Sequence, residues 1–300
     1  MYYDCSLLPH TVTTSSRKKL QDRVDWGLRA LRIGRAWKES KGSGIKVAIL
    51  DTGYAKGHPD LQNAVTAHKD FTGQGIYDGD GHGTFVAGIV GARANNIGVV
   101  GIAPHCELLI AKVLNNQGWG KTSWVINGIK WAADHGADII SMSLGSNSPM
   151  RGIKPALRAC SNVFVVAAAG NSGPRINTVC YPAKYGMVIS VGAITKKRKV
   201  ARWSSRGMAV DIVAPGAAIV SCYPPRALAQ MSGTSMSCPM VAGVMALALS
   251  KHRLYGGSTP IRNRKDMLDH LVKSAIDLGK KGKDPNYGHG LINPNQLLSD

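Results

Sequence analysis

Short apolar runs alternate with helix-like segments along this 300-residue chain, which predicts an α/β fold: a three-layer sandwich with a mostly parallel central sheet and helices on both faces. A second observation agrees. Residues 234–251 form a long, almost wholly apolar helical stretch, and such a helix has to be buried. The third is bulk composition. A hydrophobic content of 44% with 35 glycines supplies a sizeable core and many close turns, enough for one large globular unit.

Taken in order, residues 45–50 read as a buried strand that ends at Asp51-Thr52-Gly53. A helix is expected over 83–93, directly after His82, then a strand over 107–114 and a helix over 122–135. Residues 138–142 and 163–168 read as strands separated by a helix over 151–160. Strands over 187–191 and 210–213 precede the long apolar helix, and 264–276 is an amphipathic one. Parallel sheets bind ligands beyond the carboxyl ends of their strands. Asp51, Ser143-Leu144-Gly145 and Gly170-Asn171 each follow an expected strand at once, so the pattern alone makes them converge.

The formal charge of +19 favours anionic partners, but the basic residues are dispersed, as a solvated surface would have them. Lys196-Lys197-Arg198-Lys199 reads as a hairpin tip. With 6% aromatic residues and no nucleic-acid motif, no specific nucleic-acid partner is expected. No uninterrupted apolar stretch reaches the roughly 18 residues of a membrane span. Met1 to Cys5 do not begin a secretory signal, and the six cysteines are far apart with no metal-ligand spacing. Free thiols in a reducing, cytoplasmic setting are the expectation; secretion is the alternative if a signal has been removed.

Three side chains stand out as the parts of an acyl-transfer site. Asp51 is an acid held at a strand end; His82 sits in Asp80-Gly81-His82-Gly83-Thr84, where glycines leave space around the imidazole. Ser235, in Gly233-Thr234-Ser235-Met236-Ser237-Cys238-Pro239, opens the buried helix, whose N-terminus offers N–H groups and partial positive charge. Asn171 can offer an amide to a developing oxyanion. Each alone is a weak signal, since an Asp after a strand is more often a turn residue and a Thr-Ser pair is often a cap. Together, in the order Asp, His, Ser, they are specific.

The blocks Ala48-Ile49-Leu50-Asp51-Thr52-Gly53, Gly81-His82-Gly83-Thr84, Ala168-Ala169-Gly170-Asn171 and Gly233-Thr234-Ser235-Met236 resemble the subtilisin-like serine peptidases, the subtilase family. The resemblance runs from about Asp22 to Leu298. It implies a serine endopeptidase acting on proteins and peptides through an acyl-enzyme on Ser235, with His82 as base and Asp51 holding its tautomer. Asn171 would bind the oxyanion, an interaction worth roughly 3–4 kcal/mol where it was measured in subtilisin itself.

The same resemblance implies a substrate strand added between Gly118-Trp119-Gly120 and Ser143-Leu144-Gly145. Val125 and Leu144 would line a distal subsite, and Ala169, Gly170 and Cys180 the primary one. Specificity would be fairly broad with an apolar P1 residue. Ser172 stands where several relatives carry Glu, which removes an attraction for basic P1 side chains. The family's structural calcium would fall to Asp22, Asp60, Asn96, Ile97 and Val99. Residues 1–20 are too few for the folding pro-domain of secreted relatives, but Leu7-Leu8-Pro9 resembles the short inhibitory pre-segment of the intracellular branch. That divides the chain into a pre-segment, 1–20, and a peptidase domain, 21–300, with Arg17-Lys18-Lys19 as an exposed processing linker. The surplus positive charge is expected to hold the His82 pKa at or below an ordinary value of about 6.5.

Overall fold

The computed structural model describes residues 3–15, 22–256 and 260–299. Its strands are β1 (Cys5–Leu7), β2 (Thr11–Ser15), β3 (Lys46–Asp51), β4 (Val65–Asp70), β5 (Glu107–Lys112), β6 (Trp119–Gly120) and β7 (Ile139–Met142). They continue with β8 (Leu144–Gly145), β9 (Phe164–Ala168), β10 (Ile189–Ile194), β11 (Ile212–Pro215), β12 (Ile219–Tyr223) and β13 (Ala227–Ser232). The helices are α1 (Trp26–Ala30), α2 (Ile33–Ala36), α3 (His82–Gly91), α4 (Thr122–Asp134), α5 (Ile153–Ala159), α6 (Thr234–Tyr255), α7 (Arg264–Ser274) and α8 (Pro294–Leu297).

A seven-stranded sheet in the order β11-β10-β9-β7-β3-β5-β4 forms the centre, and every pair in it is parallel. Its central strands are buried along almost their whole length, which is why they read as unbroken apolar runs rather than alternating ones. The strand order reverses at β3. The chain runs from β3 out to β4 at one edge and back to β5 beside β3, and then through β7, β9, β10 and β11 on the other side. That makes the carboxyl end of β3, where Asp51 sits, the switch point at which such sheets open a crevice.

Helices α3 and α6 pack on each other and on the sheet, while α4, packed against α5, also covers β3 and β5. Residues 234–250 of α6 are all buried, as its lack of a polar face requires. One hydrophobic core takes in residues from Cys5 to Leu298. All six cysteines are buried and unpaired. Among the described residues, no helix is long and apolar enough to cross a membrane.

Two small antiparallel sheets lie outside this centre, in the orders β6-β1-β8 and β12-β13-β2. The sequence pattern predicted neither them nor the edge strand β4. In β4 most residues are partly or fully exposed and the strand is only six residues long, so no apolar run marks it. Lys196 to Lys199 do form a tight turn, closed by the Thr195 N–H donating to the Lys199 carbonyl at 2.9 Å. The run Arg17-Lys18-Lys19 falls outside the described residues.

Candidate active site

Asp51 closes β3, and parallel pairing sets it beside Lys112 at the end of β5. His82 is the first residue of α3, one position earlier than the sequence placed the helix start. Gly81 precedes it at φ 100°, a backbone setting that disfavours any residue with a Cβ, and that turn swings the imidazole toward β3. His82 Nδ1 lies 2.8 Å from Asp51 Oδ1, and both side chains are fully buried. The same oxygen accepts the Thr52 N–H at 2.8 Å. Among the described residues, neither Asp51 Oδ2 nor His82 Nε2 has a hydrogen-bond partner. With Nδ1–H donating to the carboxylate, Nε2 is left as a free acceptor, the arrangement a proton-taking base needs.

Ser235 is the second residue of α6 and is fully buried. Its Oγ contacts the Ser143 carbonyl at 3.4 Å. Pro239 has no N–H to give the Ser235 carbonyl four residues back, and the Ser143 hydroxyl donates to that carbonyl instead, at 2.9 Å. The proline thus leaves a carbonyl open, and the loop after β7 fastens the turn that carries Ser235 through it.

Asn171 is oriented by the same helix. Its Oδ1 accepts both the Thr234 N–H and the Thr234 hydroxyl at 2.9 Å, which turns Nδ2 outward. Nδ2 donates to the Pro9 carbonyl at 2.6 Å. Thr234 was not singled out in the sequence, yet it fixes which end of the amide faces the groove.

Around the imidazole the structure overturns one expectation. Burial acts to lower the His82 pKa, but the Asp51 carboxylate and its hydrogen bond, then Asp80 and Asp78, outweigh it, and the pKa is raised. The net positive charge of the chain does not decide the matter, because nearby carboxylates act at short range and distant surface cations are screened. If His82 is the base, which works only when neutral, the acid limb of the pH–rate profile should lie above the ordinary histidine value of about 6.5. Measuring kcat from pH 5 to 9 checks this; a half-point below about 6.5 would contradict it.

The N-terminal residues cross this site. Strand β1 pairs antiparallel with both β6 and β8: Cys5 lies opposite Gly120, Ser6 opposite Trp119 and Gly145, and Leu7 opposite Leu144. The Leu7 N–H donates to the Gly118 carbonyl at 2.8 Å, and a Cβ on Gly118 would stand 2.8 Å from the Leu7 side chain. Leu8 Cδ2 and Cys180 Sγ converge on the Cα of Gly145. A cavity of about 470 Å³ beside them is lined by Leu8, Gly145, Ser146, Gly170, Ser172 and Cys180. Val125, Leu144 and Ala169 are fully buried, and Trp119 is half exposed. Beyond Pro9, the His10 ring lies 4.9 Å from the His82 ring, its Nδ1 donates to the Leu8 carbonyl at 2.9 Å, and β2 runs on along β13. Burial pushes the thiols of Cys180 and Cys238 up to about 12, so neither is a competing nucleophile.

The suggested metal ligands meet elsewhere. Asp60 is fully buried and Asp22 partly so, and they approach the 95–99 loop with no ion pair among the described residues. Asp60 Oδ2 accepts the Val99 N–H at 2.9 Å; Asp22 Oδ1 accepts the N–H groups of Asn95 and Ile97 at 3.3 Å. The side chain that reaches Asp60 is that of Asn95, not Asn96, which turns the loop at φ 62°. Two carboxylates without a basic partner among the described residues, one of them buried, are hard oxygen donors that fit a divalent cation, although Asn95 turns its Nδ2 to Asp60 and its Oδ1 accepts the Ile97 N–H at 3.0 Å. His58 and Cys222 also lie close to Asp60, but both His58 nitrogens are already hydrogen-bonded.

A doubly wound sheet with an Asp–His pair at its switch point and a serine at a helix N-terminus is an arrangement suited to acyl transfer, although Ser235 Oγ points to the Ser143 carbonyl and not to His82 Nε2. Residues 42–290 match the subtilase family, and the chain belongs to it. Subtilisin DY from Bacillus licheniformis is 42% identical over 277 residues, covering 90% of this chain and 97% of that protein. An intracellular serine protease from Paenibacillus polymyxa is 38% identical over 95% of this chain and 89% of its own length. The major intracellular serine protease of Bacillus subtilis (strain 168) is 41% identical over 75% of this chain and 74% of its own. The protein is a serine endopeptidase, and its substrates are proteins.

Proposed function

We propose that Ser235 is the nucleophile, His82 the base, Asp51 the orienting carboxylate and Asn171 an oxyanion donor, in an enzyme held latent by its own N-terminal segment. The observation that carries this reading is the donation from Asn171 Nδ2 to the Pro9 carbonyl. If Leu8 fills the primary pocket, the carbonyl to be attacked is that of Leu8, yet His10 Nδ1 holds it and the next carbonyl takes its place at the oxyanion donor. The segment therefore binds like a substrate with its scissile bond out of position, and Pro9 adds no N–H for the groove to use.

Cys180 and the Cα atoms of Gly145 and Gly170 wall the primary pocket beside Ser146, Asn147 and Ser172, and the one acidic residue lining that cavity, Asp4, belongs to the N-terminal segment itself, which supports apolar P1 residues over basic ones. Main-chain pairing along Gly118 to Gly120 and Ser143 to Gly145 supports otherwise broad specificity. Peptides released from a denatured protein, read by mass spectrometry, test this directly. Cleavage mainly after Leu, Met or aromatic residues is expected, and cleavage mainly after Lys or Arg would sink it.

Calcium held by Asp22, Asp60, Asn95 and the 95–99 loop would be structural, neutralising the buried carboxylate and pinning the loop to the segment before α1. A ligand bound only by the native state stabilises it by mass action. Excess chelator should therefore lower the melting temperature by several degrees, reversed by added calcium, and a metal-free protein with an unchanged melting point removes calcium from the account. A cytoplasmic setting is supported by the two relatives named intracellular and by the buried, unpaired cysteines.

A further inference from the structure

Asp78 has no part in the site as read from the sequence, yet it is only 1% exposed and accepts four hydrogen bonds. Its Oδ1 takes the Thr52 hydroxyl and the Gly81 N–H at 2.8 Å; its Oδ2 takes the Thr84 N–H and the Thr84 hydroxyl at 2.7 Å. Thr52 follows Asp51, while Gly81 and Thr84 bracket His82. One carboxylate therefore grips the end of β3 and the first turn of α3 together. The Thr52 hydroxyl has a single proton. At 2.8 Å from Asp78 and 3.3 Å from Asp51 it goes to Asp78, and the Thr52 oxygen then accepts the Gly83 N–H at 2.8 Å.

Beneath this clamp lies a second one. Lys112 is fully buried, and its ammonium donates to the carbonyls of Thr52 and Tyr77 and to Asn116 Oδ1. It joins the residue after Asp51 to the residue before Asp78. A buried cation and a buried carboxylate, each fully hydrogen-bonded, cost far less than either would alone.

We propose that Asp78 is a positioning residue of the peptidase reaction: by holding Thr52, Gly81 and Thr84 it fixes the distance and angle between Asp51 and His82, without touching substrate. The charged and titratable groups facing the imidazole are Asp51 from β3, Asp78 and Asp80 from the loop before α3, and His10 from the N-terminal segment, with Lys112 of β5 facing the same carboxylates. Asp51 orients the imidazole by direct contact, whereas Asp78 holds the two backbones from which the pair projects. Small misplacements of a reacting group cost up to about 100-fold in rate.

The test is Asp78→Asn in the full chain, an isosteric change that puts an N–H2 where two donors now point. The proposal expects kcat for a saturating small peptide to fall about tenfold or more with KM within twofold. It also expects the His82 titration, followed by NMR of labelled histidine, to move to lower pH. The titration needs no turnover, so latency does not hide it. Unchanged kcat and titration in a folded Asp78→Asn protein would overturn the proposal, as would a rate loss that only follows the loss of folded protein. Should Asp78→Asn not fold, Thr52→Val removes one link and keeps the carboxylate: a lower kcat at unchanged KM supports the role, and an unchanged kcat overturns it. The proposal rests on the assignment of Asp51, His82 and Ser235, whose own failure would appear separately, as activity surviving Ser235→Ala.

Discussion

Ser235→Ala should lower peptide hydrolysis by several orders of magnitude and leave the protein folded. The rate effect follows from losing the atom that forms the acyl-enzyme. What then remains is catalysis by the oxyanion donors and binding alone. The fold is spared because the Ser235 hydroxyl makes only a 3.4 Å contact to the Ser143 carbonyl, while its backbone carbonyl keeps the Ser143 hydroxyl. Alanine also suits the first turn of a buried helix. The measurement pairs turnover with a thermal melt. Near-normal hydrolysis by a folded mutant would overturn the nucleophile assignment, and a fluorophosphonate that labels the parent but not the mutant would confirm it.

A chain beginning at Leu20 should hydrolyse peptides at least about tenfold faster than the full chain at substrate concentrations well below the millimolar range. A tethered segment presents itself to the groove at about millimolar effective concentration, so dilute substrate competes poorly. The segment also has its own affinity. Cys5 is 4% and Leu8 7% exposed, and burying a leucine side chain contributes roughly 1.5–3 kcal/mol, before the pairing of β1 with β6 and β8 is counted. Strand β2 adds five register pairs with β13, holding the segment on the far side of Ser235. Equal rates for the two chains would show that residues 3–15 lie in the groove without restraining it.

The parallel sheet was legible because its strands are buried on both faces and therefore show as apolar runs, each ending at a polar or glycine turn. The same rule explains the omissions. Strand β4 at the sheet edge and β13 in its hairpin carry exposed positions, so their composition resembles a loop. Asp51, His82, Ser235 and Asn171 stood out in the sequence because their motifs place polar groups at fixed backbone turns, and the fold sets Asp51 against His82 and Asn171 against Thr234. Which of Asn95 and Asn96 faces Asp60 was not legible, because neighbouring asparagines look alike until the turn at Asn96 sets the Asn95 amide beside Asp60. The direction of the His82 shift was missed because net charge is a bulk property, and three carboxylates around one buried imidazole are a local one.

By itself, then, the sequence determined the order of the buried parallel strands and main helices and the class of chemistry, since these depend on local pattern and residue type. Only the tertiary structure decided that β3 is the switch point, that Thr234 orients the Asn171 amide, and that Asp78 and Lys112 bind the two halves of the Asp51–His82 pair. It also decided that Asn171 takes the carbonyl of Pro9 rather than that of Leu8. Each of these is a contact between residues far apart in the chain, set by strand order and helix packing, and no local pattern encodes which distant hydrogen-bond partner a buried polar group will find.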